Sequence, residues 1–284
     1  MSELPPLVEA ITGRLESLSP TQQRVAQYIL RNPTSPAFMN ARELGEAVGA
    51  SESSIVRFAY AVGFDGYRDL QASAQQQLSS RLSLHERYLS RSQLPVTTVH
   101  TAVRSSIRNL QELQETLSAQ DLEQAAERII RARRCYVVGF RAAAGLAIIA
   151  SSAIGQLCHN CVQLSLELGE TIDLLVGAGD QDVLLAITFR RYSRRTLQIA
   201  KYLHSLGTFV IGITDCLWSP LRDSADILLV GEVESPSYAY SLTAPHCIID
   251  CLVLALSQKM GIGAATPIKE WEETYRYFDL LEGM

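Results

Sequence analysis

The spacing of apolar residues divides the chain into a helical first third and an alternating remainder. In the first 78 residues, apolar side chains recur every three or four positions, which places them on one face of a helix. Beyond residue 99, two helical patterns precede five apolar runs typical of buried parallel strands, at residues 135–139, 161–166, 182–189, 208–214 and 225–231. The pattern predicts an all-α domain at 1–78, a linker at 79–98, and a three-layer α/β domain with a five-stranded parallel sheet at 99–284.

Helix-capping residues define the elements of the first third more closely. A first helical pattern runs from Leu7 to Leu18, and Ser19, Pro20 and Gln22 form a capping pattern that begins a second helix. Proline at position 33 ends that helix, and a loop is expected up to Asn40. Two further short helices are predicted from 40 to 49 and from 51 to 63, separated by a turn that contains glycine.

The helix that begins at Ser51 has an apolar face and a polar face. Its polar face carries Ser53, Arg57 and Tyr60, with Ser54 beside them, and all four side chains can donate hydrogen bonds to phosphates or base edges. Two short helices joined by a tight turn are typical of a helix-turn-helix, in which the first residues of the second helix meet the DNA bases. A helical bundle with a solvated polar face fits the same spacing.

Basic residues cluster where two of the predicted strands end. Ligands of parallel α/β sheets bind at the carboxyl ends of the strands, and cations at the amino end of a helix oppose its macrodipole and repel one another. An anion at this position would relieve both effects. The residues predicted to bind it are Gly139, Arg141, Arg190, Arg191, Ser193, Arg194, Thr196 and Ser241.

Other arrangements of these residues fit the sequence too. The arginines could extend into solvent or pair with acidic residues of a neighbouring subunit. Ser241 lies in a stretch with Tyr238 and Tyr240 that either closes over the ligand or packs against the adjoining helix.

Composition and charge narrow the class of protein. The chain has 284 residues, 47% of them apolar, which is enough for two domains, and a net charge of −5 that gives little support to a strongly basic nucleic-acid binder. The longest apolar stretches, such as 248–256, are too short and interrupted to cross a bilayer, so we expect a cytoplasmic protein. The six cysteines are interpreted as reduced, buried thiols. Cys158 and Cys161 form a single pair, so we expect no metal and no cofactor.

Two stretches of the first third resemble a known family. Residues 43–58, followed by the segment 62–70 with its Gly63-Phe64 and Gly66-Tyr67 corner, resemble the DNA-binding domain of RpiR-type transcriptional regulators. The resemblance covers about the first 78 residues. It implies that Tyr67 and Arg68 contact the DNA backbone.

The remainder resembles the SIS (sugar isomerase) domain, the phosphosugar-binding module that RpiR-type regulators carry after their helix-turn-helix. The resemblance covers about residues 122–260 and includes Val137-Val138-Gly139, Ser193-x-x-Thr196 and Gly212-Ile213-Thr214-Asp215. Two motifs depart from the family pattern. The usual Gly-x-Gly-x-Ser is Gly139-Phe140-Arg141-Ala142-Ala143, and the usual Ser-Gly-x-Thr is Ser193-Arg194-Arg195-Thr196. Because arginine replaces glycine in both, the ligand is expected to be a different organic acid or to bind in another pose.

These features favour a transcriptional regulator that is not an enzyme. Its expected partners are a double-stranded DNA operator, a small anionic effector (a phosphosugar or a sugar acid) and a second copy, as a homodimer or a dimer of dimers, without a membrane. One alternative is a sugar-phosphate isomerase with an appended helical domain. Its base would be one of Glu167, Glu170, Glu232, Glu234 and His246. A second alternative is an α/β domain that only dimerises.

Overall fold

The computed structural model describes residues 6–32, 35–81, 84–92, 99–164 and 168–279. The chain divides into two compact units, Met1–Ser90 and Arg91–Met284. Several sequence predictions fall outside the described residues: the helix end at position 33, residues 93–98 of the linker, positions 165–166 of the second predicted strand, and Glu167.

Up to Ser92 the described chain is helical. A 3-10 turn occupies Leu15–Ser17, and the helices are α1 (Pro6–Thr12), α2 (Pro20–Arg31), α3 (Ser35–Phe38), α4 (Ala41–Val48), α5 (Glu52–Ala61), α6 (Tyr67–Arg81) and α7 (Leu84–Ser92). The fully buried apolar residues of this unit come from α1, α2, α4, α5 and α6, whereas the described apolar residues of α7 are exposed. The fully buried ones include Leu7, Ile11, Val25, Ile29, Leu44, Ile55, Phe58 and Leu70.

The capping signals of the first unit are confirmed. Ser19 with Gln22, and Asn40 with Glu43, form reciprocal capping boxes at the starts of α2 and α4. Two other expectations are wrong. The first helix ends at Thr12 and continues only as a 3-10 turn, and the segment expected to be a loop contains α3, which packs against α6. A helix of four residues has no apolar periodicity, so only its tertiary contacts define it.

The second unit is a three-layer α/β structure, as predicted. Its strands are β1 (Cys135–Gly139), β2 (Cys161–Gln163), β3 (Val183–Ile187), β4 (Phe209–Thr214) and β5 (Ile227–Val230). Its helices are α8 (Val99–Thr116), α9 (Ala119–Arg131), α10 (Ala143–Leu157), α11 (Leu168–Leu175), α12 (Arg194–Ser205), α13 (Thr243–Met260) and α14 (Ala265–Tyr277). All strands except β1 are shorter than the predicted apolar runs. In β2 and β3, buried residues follow the paired segment, at Leu164 and at Thr188 and Phe189.

All strand pairs are parallel, and the strand order is β2-β1-β3-β4-β5. Alternate side chains of each strand enter two separate cores. Val137, Leu185 and Ile213 belong to the core under α9, α10 and α13, while Val138 and Leu184 belong to the core under α12. The chain leaves β1 toward β2 and later returns to β3 on the other side of β1. The order of the strands therefore reverses between β1 and β3, where open parallel sheets bind their ligands.

The helical stretch formed by α13 and α14 is long and apolar enough, by length and composition, to cross a membrane. The expectation that no segment reaches this length is therefore wrong. Ile248, Leu252 and Leu256 of α13 are buried in the core above the sheet. A core helix meets the same criterion, although only 28% of this apolar window is buried.

Helix α14 packs loosely on the rest of the second unit. None of its side chains is fully buried. Trp271 is half-buried and donates its Nε1–H to the carbonyl of Gly155 in α10 at 3.0 Å, whereas Phe278 is 64% exposed.

Candidate functional site

The turn between α4 and α5 is unusually close. A Cβ atom on Gly45 would lie 2.6 Å from the carbonyl oxygen of Ala50, nearer than real side chains approach. The amide of Ala50 also donates a hydrogen bond to the carbonyl of Gly45 in α4 at 2.9 Å. Gly49 follows α4 with φ +65°, a left-handed conformation that glycine adopts without strain. The two glycines thus permit the compact helical hairpin predicted from the sequence.

Helix α5 begins with a cluster of hydroxyl groups. The Ser51 Oγ accepts a hydrogen bond from the Ser54 amide at 3.3 Å and lies 3.0 Å and 2.8 Å from the Oγ atoms of Ser53 and Ser54. Arg57 is exposed, and Tyr60 is 60% exposed, whereas Ile55, Phe58 and Ala59 are buried. The structure brings the five predicted residues of α5 and its cap onto the exposed side of the hairpin.

Tyr67 does not share this exposed surface. It is buried, and its hydroxyl donates to the Met39 carbonyl at 2.7 Å. Burial, with the nearby Glu43 carboxylate, raises the pKa of Tyr67 to about 12. Its side chain therefore joins α6 to the residue that follows α3, and the hydroxyl is already engaged inside the unit. Arg68, the next residue, is exposed.

The predicted anion-binding residues follow β1 and β3, which are neighbours in the sheet. The β1 loop contains Arg141, and the β3 loop runs from Thr188 to Ser193, where α12 begins. Both loops lie at the carboxyl edge on either side of the point where the strand order reverses. Six of the eight predicted residues belong to these two loops or to the first turn of α12, and a seventh, Gly139, is the last residue of β1.

Gly139 is required by packing within the protein. A Cβ atom at this position would lie 2.6 Å from the carbonyl oxygen of Ala143, in the first turn of α10. The glycine lets α10 begin directly against the end of β1. Arg141, two residues later, is exposed and has φ +60°, a left-handed conformation that is costly for a side chain with a Cβ atom.

Arg190 is not the open anion receptor that the sequence suggested. Its side chain is buried, and its Nε lies 2.5 Å from Asp215 Oδ2 while its Nη1 lies 2.6 Å from Glu234 Oε1. Burial alone lowers the pKa of Arg190, but the two carboxylates outweigh it and hold the pKa above its ordinary value. The charge of Arg190 is thus already balanced by acids of the same chain, and the arginine cluster is less costly without a ligand than the sequence implied.

The other arginines of the cluster remain near the surface. Arg194 and Arg195 are exposed in the first turn of α12, and Arg191 is half-buried with φ +65°. The Nη1 of Arg191 is buried without a hydrogen-bond partner among the described residues. This atom is a donor whose hydrogen-bonding capacity a ligand could satisfy.

Ser193 and Thr196 shape the start of α12. The Ser193 Oγ accepts a hydrogen bond from the Thr196 amide at 3.3 Å, and the Ser193 amide donates to Thr188 Oγ1 at 3.0 Å. Ser193 is therefore the N-cap, as predicted. Thr196 is fully buried, and its Oγ1 has no hydrogen-bond partner among the described residues.

Ser241 lies with other hydroxyls and is not joined to the arginine loops by a described contact. Its Oγ is 3.1 Å from Thr243 Oγ1 and 3.4 Å from Ser106 Oγ in α8. Nearby, Tyr240 packs against the core on the α13 side of the sheet, in agreement with the packing alternative.

Sequence reasoning missed the acidic partners of Arg190. Asp215 follows β4, the strand next to β3, so its position at the same sheet edge was a usable signal. Glu234 follows β5 and had been considered only as a base for an isomerase. Among the other nominated bases, Glu170 is exposed and His246 lies 3.5 Å from Asp250 on its own helix.

The cysteines are all free thiols. Cys135, Cys158 and Cys216 are buried as expected, whereas Cys161, Cys247 and Cys251 are only half-buried. In the part of the chain that the structure describes, no group of three or more histidine, cysteine or acidic side chains is arranged to hold a metal ion.

Comparison with known protein families also divides the chain into a helical first part and an α/β second part. Residues 6–81 match the helix-turn-helix domain of the rpiR family, and residues 128–255 match the SIS domain. The HTH-type transcriptional regulator HexR of Pseudomonas aeruginosa is 24% identical over 285 residues, which cover 94% of this chain and 95% of HexR.

Two solved structures have a similar fold. NanR of Vibrio vulnificus, solved in complex with ManNAc-6P, matches with a TM-score of 0.59 at 18% identity and covers 98% of this chain and 100% of NanR. The sugar isomerase domain of an RpiR transcription factor from Sphaerobacter thermophilus matches with a TM-score of 0.59 at 20% identity, over 61% of this chain and 97% of that domain.

A helix-turn-helix unit followed by a SIS-type α/β unit defines a DNA-binding transcriptional regulator, and the full-length relative is named as one. This class is favoured over the isomerase alternative. The chain carries a helix-turn-helix domain of the rpiR family followed by a SIS domain, and along its length it is similar to an HTH-type transcriptional regulator.

Proposed function

We propose that the second unit senses a phosphosugar or a sugar acid at the carboxyl edge between β1 and β3. The observation that carries this proposal is the Oγ1 of Thr196, which is fully buried at the start of α12 and has no partner among the described residues. A buried polar group without a partner costs about 1–3 kcal/mol. A phosphate or carboxylate oxygen accepting from this hydroxyl would remove that cost, and the amino end of α12 favours a negative charge.

The charged donors for this anion would be Arg141, Arg191 and Arg194. Arg141 and Arg194 are exposed, and Arg191 has an unpartnered Nη1 among the described residues. Arginine donates through a planar fork that matches carboxylate and phosphate oxygens. NanR, a structure of similar fold, is described in complex with a phosphosugar, which supports the same chemical class of ligand here.

We assign the reading of DNA to the exposed side of α5. Ser51, Ser53, Ser54, Arg57 and Tyr60 would face the major groove, and Arg68 would contact a phosphate. Tyr67 would act indirectly, because its hydroxyl joins α6 to the Met39 carbonyl and so fixes the position of Arg68.

We further propose that the regulator is a cytoplasmic homodimer that binds an operator of two half-sites. Its domains would be residues 1–78 and 99–284, joined by a linker at 79–98. Ile148 and Ile149 of α10 are 53% and 43% exposed, and Leu254 of α13 is 56% exposed. A second copy covering these residues would explain apolar side chains at the surface. Sedimentation equilibrium tests this: the wild type should have twice the chain mass, and Ile148→Glu should be monomeric.

Thermal denaturation with a panel of ligands tests the sensing proposal. The panel contains inorganic phosphate, glucose 6-phosphate, fructose 6-phosphate, ManNAc-6P and 6-phosphogluconate. A ligand at one hundred times its Kd should stabilise the wild type by about 2.7 kcal/mol. Thr196→Val removes the unpartnered hydroxyl while keeping the side-chain shape, so the free protein should be at least as stable and should bind the ligand at least about tenfold more weakly.

Thr274→Val, on α14, is the matched control and should respond to ligand like the wild type, since its hydroxyl only bonds the Glu270 carbonyl of its own helix. Failure of every ligand to raise the melting temperature, or an unchanged response in Thr196→Val, would contradict the proposal.

A further inference from the structure

Glu234 connects two parts of the second unit that are far apart in sequence. Its Oε1 accepts a hydrogen bond from Arg190 Nη1 at 2.6 Å. Its backbone carbonyl accepts hydrogen bonds from Asn109 Nδ2 at 2.9 Å and from Ser105 Oγ at 3.3 Å, both on α8. One residue is therefore held by the β3 loop through its side chain and by α8 through its backbone.

The end of this connection at Arg190 lies within the proposed anion site. Arg190 immediately precedes Arg191 and is three residues before the N-cap of α12. Asp215 holds it twice, because the Arg190 amide also donates to Asp215 Oδ1 at 3.1 Å. A ligand bound in the β3 loop would lie beside the guanidinium of Arg190, which forms ion pairs with Asp215 and with Glu234.

Several carboxylates surround the single positive charge of Arg190. The pKa of Glu232 is raised to about 6. Burial is the largest cause, and nearby carboxylates, including Glu112 of α8 and Glu234, add to it, whereas the charge of Arg190 opposes the rise. An anion arriving in the β3 loop would compete with these carboxylates for Arg190. The Glu234 side chain is 36% exposed, so it can be released toward water at small cost.

At the other end of the connection, Asn109 makes the shorter of the two polar contacts from α8. Asn109 is fully buried, its Nδ2 donates to Glu234, and its Oδ1 has no partner among the described residues. A half-satisfied buried amide loses much if its remaining hydrogen bond is broken. A movement of Glu234 would therefore disturb α8. This helix is the first one after the predicted linker at 79–98.

We propose that Glu234 is a positioning residue that couples the β3 loop to α8. Ligand in the loop shifts the Arg190–Glu234 pair, and the Glu234 carbonyl carries that shift to Ser105 and Asn109. The ligand step rests on the proposed function, whereas the mechanical link between loop and α8 exists without ligand. Glu234 also lies 3.7 Å, through its Oε2, from Arg91, the first residue of the second unit.

Hydrogen exchange measured by mass spectrometry on the full chain tests the coupling without ligand. Glu234→Gln removes the charge pair but keeps the backbone carbonyl. Peptides of α8 should then exchange at least about threefold faster than in the wild type, while peptides of α10 should not change. Asn109→Leu, which removes the contact from the α8 side, should accelerate exchange in residues 232–236.

The control is Glu273→Gln, which removes an exposed carboxylate paired with Lys269 on α14. Unchanged α8 exchange in Glu234→Gln, or an equal change in Glu273→Gln, would overturn the coupling.

A second arm adds inorganic phosphate. In the wild type it should slow exchange at residues 188–197 and alter it in α8, whereas in Glu234→Gln only the loop should respond. If phosphate does not change exchange at 188–197, the result would count against the proposed function alone, because the ligand-free measurement tests the coupling independently. A response of α8 that persists in Glu234→Gln would overturn the coupling.

Discussion

Two arginines adopt the left-handed backbone conformation at the edge of the sheet. Arg141 has φ +60° in the loop after β1, and Arg191 has φ +65° in the loop after β3. A residue with a Cβ atom costs roughly 1–2 kcal/mol more than glycine in this conformation. Such strain concentrates at functional sites, where a particular side chain is worth more than a relaxed backbone. The position of both arginines beside the reversal of strand order fits a role in binding the effector.

Replacement of Arg141 by glycine separates these two effects. Arg141→Gly should leave the free energy of unfolding unchanged or raise it by up to about 1 kcal/mol, because glycine relieves the backbone strain. Its affinity for the phosphosugar should fall at least about tenfold, since a charged donor is lost. Urea denaturation and isothermal titration measure the two quantities.

Lys201→Gly provides the contrast, because Lys201 is exposed within α12. There glycine should cost about 1 kcal/mol of stability without changing ligand affinity. An Arg141→Gly protein that is destabilised to the same extent, or that keeps wild-type affinity, would show that Arg141 does not have the proposed role.

The direction of individual side chains was the part of the site that the sequence could not predict. Four arginines close together in sequence suggested one open cluster, but Arg190 is buried by partners 25 and 44 residues further along the chain. Tyr67 was likewise expected at the DNA through a resemblance, and its hydroxyl is engaged by a carbonyl 28 residues earlier. Contacts over such distances depend on the completed fold.

At the scale of elements, the helical hairpin of α4 and α5 depends on backbone packing. Gly45 lies within α4, where alanine would ordinarily be preferred, yet a Cβ atom there would meet the Ala50 carbonyl oxygen at 2.6 Å. Because the obstruction is backbone, it cannot be relieved by a side-chain rotation. The hairpin must open for any larger residue.

Gly45→Ala should therefore destabilise the first unit by about 1–3 kcal/mol and weaken DNA binding. Gly145→Ala is the matched control, because Gly145 lies within α10 and a Cβ atom there would have nothing within 4 Å. The control should be more stable than the wild type by about 0.5–1 kcal/mol. Thermal unfolding followed by circular dichroism measures both, and equal effects of the two substitutions would refute the close packing of the hairpin.

Elements with strong local signals were predictable, and those defined by tertiary contacts were not. The capping boxes and the five parallel strands were found because capping residues and apolar runs are local properties. Strand ends were overestimated, since Thr188 and Phe189 are buried beyond the end of β3. The short helix α3 was missed because its contacts with α6 are distant in sequence.

At the scale of the whole molecule, the chain joins a helix-turn-helix unit to a SIS-type α/β unit. Glu234, one of the residues nominated as the base of an isomerase, is instead paired with Arg190 and hydrogen-bonded to α8 through its carbonyl. The proposed regulator thus uses its ligand to change operator affinity, and typical couplings of this kind correspond to about 5- to 150-fold in affinity.

The most direct test is a fluorescence anisotropy titration of a DNA duplex from the region upstream of the regulator's own gene, with and without the phosphosugar that binds most tightly. The wild type should bind this duplex far more tightly than a scrambled one at the same salt concentration, and Arg57→Ala should lose about 1–3 kcal/mol of binding. Saturating phosphosugar should change the wild-type Kd for the duplex at least about fivefold, and Thr196→Val should need at least about tenfold more phosphosugar for the same change. Equal affinity for both duplexes, or a Kd that the ligand does not alter, would contradict the account.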